Sequence, residues 1–160
     1  MTSPAAPTSA EALRSAGLRV TDSRRAVLDA LTDAPHSSAD ELYRRVVRSI
    51  PQTNLQSVYN ALADFVAAGV ARRIEPAGHP GLYERRVADN HHHLVCTSCG
   101  AVADVDCVVG KAPCLHPSSA QGFAVHTAEV TFWGLCVDCR PGGATADTGA
   151  PSPLPPTTQR

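Results

Sequence analysis

The chain has 160 residues, of which 43% are apolar and 18% charged, with a formal net charge of −1. That is apolar material enough for a buried core and excludes a broadly disordered chain, while no run approaches the ~18 apolar residues of a membrane span. The near-neutral balance is far from the strongly basic composition that announces a nucleic-acid binder. It hides an asymmetry. Residues 1–88 hold eleven Arg against nine acids, residues 89–160 hold three basic residues against six acids, and all six cysteines lie beyond residue 95. A weakly basic, cysteine-free front and an acidic, Cys/His-rich rear read as two units with different work. The opening MTSPAAPTSA shows neither a basic n-region nor an apolar h-region, so a cytoplasmic protein is expected. In that compartment cysteines serve as metal ligands or redox thiols rather than as a disulfide frame.

Residues 1–7 read as a disordered N-terminus. From Thr8 to Gly69 the pattern is helical, with repeated start signals: Thr8/Glu11, Ser38/Glu41 and Thr53/Gln56 have capping-box spacing, and Thr21 is a fourth cap. Val27, Leu28 and Leu31 share one face of the second helix, and Leu42, Val46 and Ile50 one face of the third. Val58, Leu62, Phe65 and Val66 form the stripe of the fourth. Pro51 separates the third helix from the fourth, and Gly69 is placed to end the latter. VARRIEP, AGHPG and LYERRV then read as strand, turn and strand. Helices followed by a hairpin is the order of a winged helix-turn-helix, here over residues 8–88, with the fourth helix in a DNA major groove and the hairpin as wing. Its outer face would offer Gln56, Ser57, Tyr59 and Asn60 to base edges or phosphates, with Arg19, Arg24, Arg25, Arg72 and Arg73 as phosphate partners. Periodicity alone fits a small helical domain with a solvated polar face equally well.

Residues 89–140 carry the metal-ligating types. Cys96-x2-Cys99 and Cys136-x2-Cys139 are two knuckles, each able to present two thiolates from one tight turn, and Gly100 suits the reversal after the first. Together they point to a closed, structural zinc site that staples a small lobe. Upstream lie His91, His92 and His93. On a strand His91 and His93 share a face, and if residues 96–99 form the bend of a symmetric hairpin, Asp104 falls opposite His91 on that face. Two imidazoles and a carboxylate suit a borderline divalent ion such as iron(II), while a surface histidine run without a ligand role is the alternative. His36, Glu84, His79 and His116 carry no signal of their own. Cys107 and Cys114 have two readings, an auxiliary thiol–disulfide pair or two small buried apolar side chains; Lys111 is their one basic neighbour, which favours the second. Residues 141–160, with five Pro and three Gly, read as a disordered tail.

Taken in order, GLRVTDSRRAVLDAL, PHSSADELY, SVYNAL, HHHLVCTSCG and FWGLCVDC resemble the ferric-uptake-regulator (Fur) superfamily of metal-dependent repressors, from about Leu13 to Cys139. The resemblance implies an α+β homodimer, with an N-terminal winged helix and a C-terminal α/β dimerisation domain. It implies structural zinc on Cys96, Cys99, Cys136 and Cys139, and a regulatory iron(II) or manganese(II) on His36, Glu84, His91, His93 and Asp104. The implied partner is double-stranded DNA with an inverted-repeat operator, and no catalysis is implied. An aspartate at 104, where iron-uptake repressors usually have glutamate, resembles the peroxide-sensing (PerR-like) branch. The DNHHHLVC stretch with Cys107 and Cys114 further resembles its actinobacterial FurA/CatR group, associated with catalase-peroxidase control. In that branch a histidine matching His36 or His91 is oxidised to 2-oxo-histidine and the repressor leaves DNA. The alternatives are a repressor sensing iron or zinc availability by reversible release, and an enzyme with a catalytic metal; no phosphate loop or nucleophile motif supports the latter. Three departures stand out. Asn60 replaces an Arg common in the family. A third metal site of some members is expected to be absent, because its ligand near position 128 is Ala128 here and His126 is out of register. DCVVGKAPCLHPSSAQG is rich in Gly and Pro where relatives often have a helix.

Overall fold

The computed structural model describes residues 7–87, 89–108, 116–125 and 128–141. The expectations for residues 1–6 and for the tail from 142 onward, and those for Cys114 and His126, lie outside the described residues. Four helices come first: α1 (Ser9–Ser15), α2 (Asp22–Asp33), α3 (Ala39–Val46) and α4 (Leu55–Ala67), with a short strand β1 (Ser37–Ser38) between α2 and α3. Thr8 and Ser38 close reciprocal capping boxes with Glu11 and Glu41, and Thr21 accepts from Arg24 N–H. The fourth cap is one residue later than the spacing of Thr53 and Gln56 predicts. Asn54 accepts from Ser57 N–H at 2.8 Å, while Thr53 is buried with its hydroxyl 3.4 Å from that of Ser23. Asn is the stronger cap, and Thr53 is already engaged elsewhere. Gly69 ends α4 at φ 68°, where the Val70 and Gly69 amides return to the Phe65 and Val66 carbonyls, the hydrogen-bond pair of a Schellman motif.

Leu13, Val27, Leu28, Leu31, Leu42 and Val46 pack with Val58, Leu62 and Phe65 into one buried core. Ile50 lies beyond the end of α3 and is only partly buried against that core, and Val66, expected inside, is exposed. Ala61 takes the inward position on α4 instead, because the helix turns its 58/61/62/65 face to α2 and α3. Strands β2 (Arg72–Ile74) and β3 (Leu82–Glu84) form the expected hairpin, and β1 joins the far side of β3 to give a sheet ordered β1-β3-β2. That third strand was not legible in two serines.

The second sheet is ordered β5-β4-β6, from β4 (His91–Cys96), β5 (Val102–Asp106) and β6 (Thr131–Gly134). β4 and β5 are antiparallel, and β6 runs parallel to β4. The register differs from the symmetric hairpin: Asp104 pairs with His93, and His91 with Asp106. The turn closes where Cys96 N–H bonds the Ala101 carbonyl, so the bend spans Thr97–Gly100 and its centre moves by one residue. The resulting two-residue offset is even, which keeps Asp104 on the face of His91 and His93. Among the described residues this region contains no helix.

Candidate metal centres

The first cluster arises from strand pairing. Cys96 closes β4 opposite Gly134 at the end of β6, so the chain leaving β6 delivers Cys136 and Cys139 beside the first knuckle. The sulfur atoms of Cys96, Cys99, Cys136 and Cys139 all lie within 4.8 Å of one another. The Cys99 and Cys136 sulfurs are 3.7 Å apart. Four thiolates at ~2.3 Å from a tetrahedral zinc are about 3.8 Å apart, so the set has the right size. The backbone prepares it. Gly100 sits at φ 76°, a conformation that favours glycine, and a Cβ there would meet the His79 ring at 2.7 Å and require it to shift. Backbone amides of Cys136 and Cys99 aimed at Cys96 pull its thiol down to about 6. Cys139 goes the other way: against a hydrogen bond with Ser98 that favours its thiolate, the Cys136 and Cys99 sulfurs push it up to about 12. A site that ionises its first thiol easily and resists ionising its last is one that calls for a cation.

The second cluster draws on both regions. Ser37 pairs with Tyr83, which sets His36 next to Glu84 at the end of β3. His91 and His93 come from β4 and Asp104 from β5. His36 Nε2 is 3.0 Å from Glu84 Oε2 and 2.8 Å from Asp104 Oδ1. His93 Nε2 is 3.2 Å from Glu84 Oε2 and 3.5 Å from Asp104 Oδ1, and His91 Nε2 is 3.2 Å from Glu84 Oε1. His36, Glu84, His93 and Asp104 each place a donor within 4.8 Å of the others, and His91 adjoins them. Donors on one ion at ~2.1 Å are about 3 Å from their neighbours, so this set fits a divalent metal of imidazole and carboxylate preference.

Glu84 is fully buried, and His91 and His93 nearly so. Burial pushes the Glu84 carboxyl up, but hydrogen bonds from His36 and His93 and the imidazole charges outweigh it and hold it well below the carboxylate range. Burial lowers His36, and its contacts with Glu84 and Asp104 more than reverse this. His36 Nε2 and His93 Nε2 each face two carboxylate oxygens, more than one ring proton serves well, an arrangement that suits a cation. The backbone of His36 is at φ 59°, in the left-handed region. An open cleft of about 420 Å³ reaches the cluster beside Glu84, Arg86 and Asp104.

Eight of the nine expected donors lie in the two clusters, and His91 adjoins the second through Glu84. His92, on the opposite face of β4, is buried with its ring 6.1 Å from that of Phe132. Cys107 follows β5 at intermediate exposure. On α4, Gln56, Tyr59 and Asn60 are exposed and Ser57 is half-buried. Gln56 Nε2 donates to Asn60 Oδ1, Ser57 serves the helix cap, and Tyr59 donates to Asp40. Arg24 pairs with Asp64, Arg25 with Asp22, Arg72 with Glu129 and Arg73 with Glu75, whereas Arg19 is exposed without an ion pair among the described residues. Sequence reasoning missed Asp89, whose Oδ1 is 2.8 Å from His91 Nδ1, and Arg86 behind it. The alternation that pairs 91 with 93 extends back to 89 and was the available signal.

A winged helix followed by a second sheet, with two clusters of metal-ligating side chains, is the arrangement of a metal-dependent transcriptional regulator, as the chain's relatives are. The chain belongs to the ferric uptake regulator family, whose pattern it matches over residues 15–133. It is 50% identical over 133 residues to the transcriptional regulator FurA of Mycobacterium tuberculosis, covering 83% of this chain and 90% of that one. Its fold is similar to the Vibrio cholerae ferric uptake regulator, a structure described by rearrangement of its DNA-binding domains, with a TM-score of 0.60 at 28% identity over 78% of this chain and 97% of the other. It is similar also to a zinc-bound manganese uptake regulator, with a TM-score of 0.65 at 25% identity over 81% and 99% of the two chains. Among the described residues no helix is long and apolar enough to cross a membrane.

Proposed function

We propose that this chain is a cytoplasmic, homodimeric, iron-loaded repressor that senses hydrogen peroxide and thereby controls catalase and other oxidative-defence genes. Residues 8–88 form its DNA-binding domain and residues 89–140 its dimerisation domain. Cys96, Cys99, Cys136 and Cys139 hold structural zinc. His36, Glu84, His91, His93 and Asp104 hold regulatory iron(II), or manganese(II) in its place. The observation that carries the reading is that the second cluster takes His36 and Glu84 from the winged-helix sheet and its other donors from the second sheet. Such a set can be satisfied only in one relative orientation of the two regions, so metal favours that orientation. In a dimer it aligns two α4 helices with the two halves of an inverted repeat, where Gln56, Ser57, Tyr59 and Asn60 face the bases and Arg19 the phosphates. The exposed apolar side chains of Leu94, Phe132, Trp133, Leu135 and Val137 around the edge strand β6 support self-association.

Iron(II), when bound, supplies the chemistry that activates hydrogen peroxide. The chain supplies the imidazoles of His36 and His91, both in contact with Glu84, which with Asp104 lines an open cleft. Oxidation adds one peroxide oxygen to a ring and releases the other as water, and the ring is then a poor donor. A repressor of metal availability is the second reading, favoured by the 50% identity to a ferric uptake regulation protein of Mycolicibacterium fortuitum. Mass spectrometry of tryptic peptides from iron-loaded and manganese-loaded protein, before and after dilute peroxide, separates the two. An added oxygen on His36 or His91 with iron alone supports peroxide sensing. Unmarked histidines favour metal availability, and a new Cys107–Cys114 disulfide would move the sensor to the thiols.

A further inference from the structure

We infer that Arg86 and Asp89 are positioning residues that hold two donors of the regulatory site, His91 and Asp104, at fixed tautomer and orientation; this rests on the metal reading of that cluster. Residues 85–90 join β3, which ends on Glu84, to β4, which opens on His91. Within this link Arg86 Nε lies 2.5 Å from Asp89 Oδ2, and the guanidinium also bonds Asp106. Its third nitrogen is 3.9 Å from Asp104 Oδ2. The β4–β5 register brings these acids together, because Asp106 pairs with His91 and Asp104 with His93. One guanidinium thus reaches three carboxylates, one in the link and two on β5.

The chemistry at the donors follows from which atoms are taken. Asp89 Oδ1 faces His91 Nδ1 at 2.8 Å, so a neutral ring keeps its hydrogen there and turns a bare Nε2 lone pair toward Glu84 Oε1, 3.2 Å away. A cation between His91 Nε2 and Glu84 Oε1 satisfies both. Arg86 meanwhile lies toward Oδ2 of Asp104, and Oδ1 is the oxygen that meets His36 Nε2. The network lies outside the buried cluster: Asp106 is 85% exposed and Arg86 36%. Exposed pairs of this kind add little to folding. Their effect belongs to the metal, where outer partners of ligating histidines commonly change affinity about ten- to a hundred-fold.

The test uses full-length, zinc-loaded protein titrated with cobalt(II), read by its visible absorption, and with manganese(II), read by electron paramagnetic resonance. Wild type should take up a second ion per chain, and His91→Ala should abolish or sharply weaken that uptake. Arg86→Gln and Asp89→Leu should weaken it about ten-fold or more and alter the cobalt spectrum, with zinc content and Tm unchanged. Arg86→Lys and Asp89→Asn, which keep a cation and an acceptor, should restore part of the affinity. Wild-type affinity and spectrum in Arg86→Gln and Asp89→Leu would overturn the positioning role alone, as would a fall in Tm and zinc content that accounts for the lost affinity. A wild type without a second ion, or a His91→Ala variant that binds as wild type does, would overturn the site reading and this inference together.

Discussion

His36 allows backbone strain and metal ligation to be separated by a pair of substitutions. Its φ of 59° places a β-carbon where an L-residue is disfavoured, while its ring spans from β1 to Glu84 and Asp104. A left-handed backbone costs a non-glycine residue about 1–2 kcal/mol, and this is held in the metal-free protein by those contacts. His36→Ala removes the ring and keeps the strain. His36→Gly removes both, at an entropic cost in the unfolded chain of about 0.5–1 kcal/mol. The glycine variant should therefore be the more stable of the two by about 0.5–1 kcal/mol, a shift of roughly 0.3–0.5 M in the urea midpoint. Both should lose manganese-dependent binding to operator DNA, measured by fluorescence anisotropy. Equal midpoints, or a less stable glycine variant, would refute the strain argument; retained metal-dependent binding in His36→Ala would remove the ring from the site.

Three further outcomes are expected. Cys96→Ser should release zinc and unfold the second sheet, because it removes the thiolate that β4 presents; a folded, zinc-loaded variant by mass spectrometry and circular dichroism contradicts the assignment. His91→Ala should leave structural zinc in place, measured by metal analysis, while abolishing metal-dependent DNA binding. In the metal-free protein, His36 is raised and Glu84 lowered, so stability has a window. The His36 contribution is full below the unfolded imidazole value of about 6.5 and is lost as pH rises through its raised folded value. The Glu84 contribution is present above about 4.5 and is lost as pH falls toward its depressed value. Urea midpoints should accordingly decline above about pH 6.5, and His36→Ala should flatten that decline; an unchanged slope in the variant sinks the argument.

The helices and the thiol cluster were legible because they rest on local rules. Caps at Thr8, Thr21 and Ser38 follow from side chains that satisfy free amides three residues on, and the thiols follow from knuckle spacing. Less was visible where partners are distant in sequence. Nothing local in Ser37 and Ser38 reveals a strand, since their pairing depends on Tyr83 and Leu82. The Asn54 cap was obscured by Thr53, whose engagement by Ser23 is tertiary. The register of β4 and β5 was missed by two residues, because the hydrogen bond from Cys96 to Ala101 sets the width of the knuckle and spacing alone does not. His36 and Glu84 carry no pattern of their own and acquired a role only through resemblance; the β1–β3 pairing gives the physical reason they meet.

The five proposed regulatory donors are not equivalent as couplers, and chain distance shows why. Glu84 is the last residue of β3 and only seven residues from His91, so of the two winged-helix donors it is the nearer along the chain to β4. His36 meets Asp104 across 68 residues and enters from β1, on the far side of β3 from β2. It is the donor whose bond to the ion most requires the winged helix to be in place. Loss of His91 should therefore weaken metal binding itself, whereas loss of His36 should weaken it less and break its link to DNA. The contrast is quantitative. A shift from 1% to 99% of the DNA-competent orientation needs about a 10⁴-fold preference of the metal for that state, and a metal held by Glu84, His91, His93 and Asp104 keeps one winged-helix donor of two and so a smaller preference. Manganese titrations of His36→Ala and His91→Ala, each with and without operator DNA, measure both terms. Metal affinity that rises on DNA binding in His36→Ala as it does in wild type would show that the orientation is coupled through some other donor.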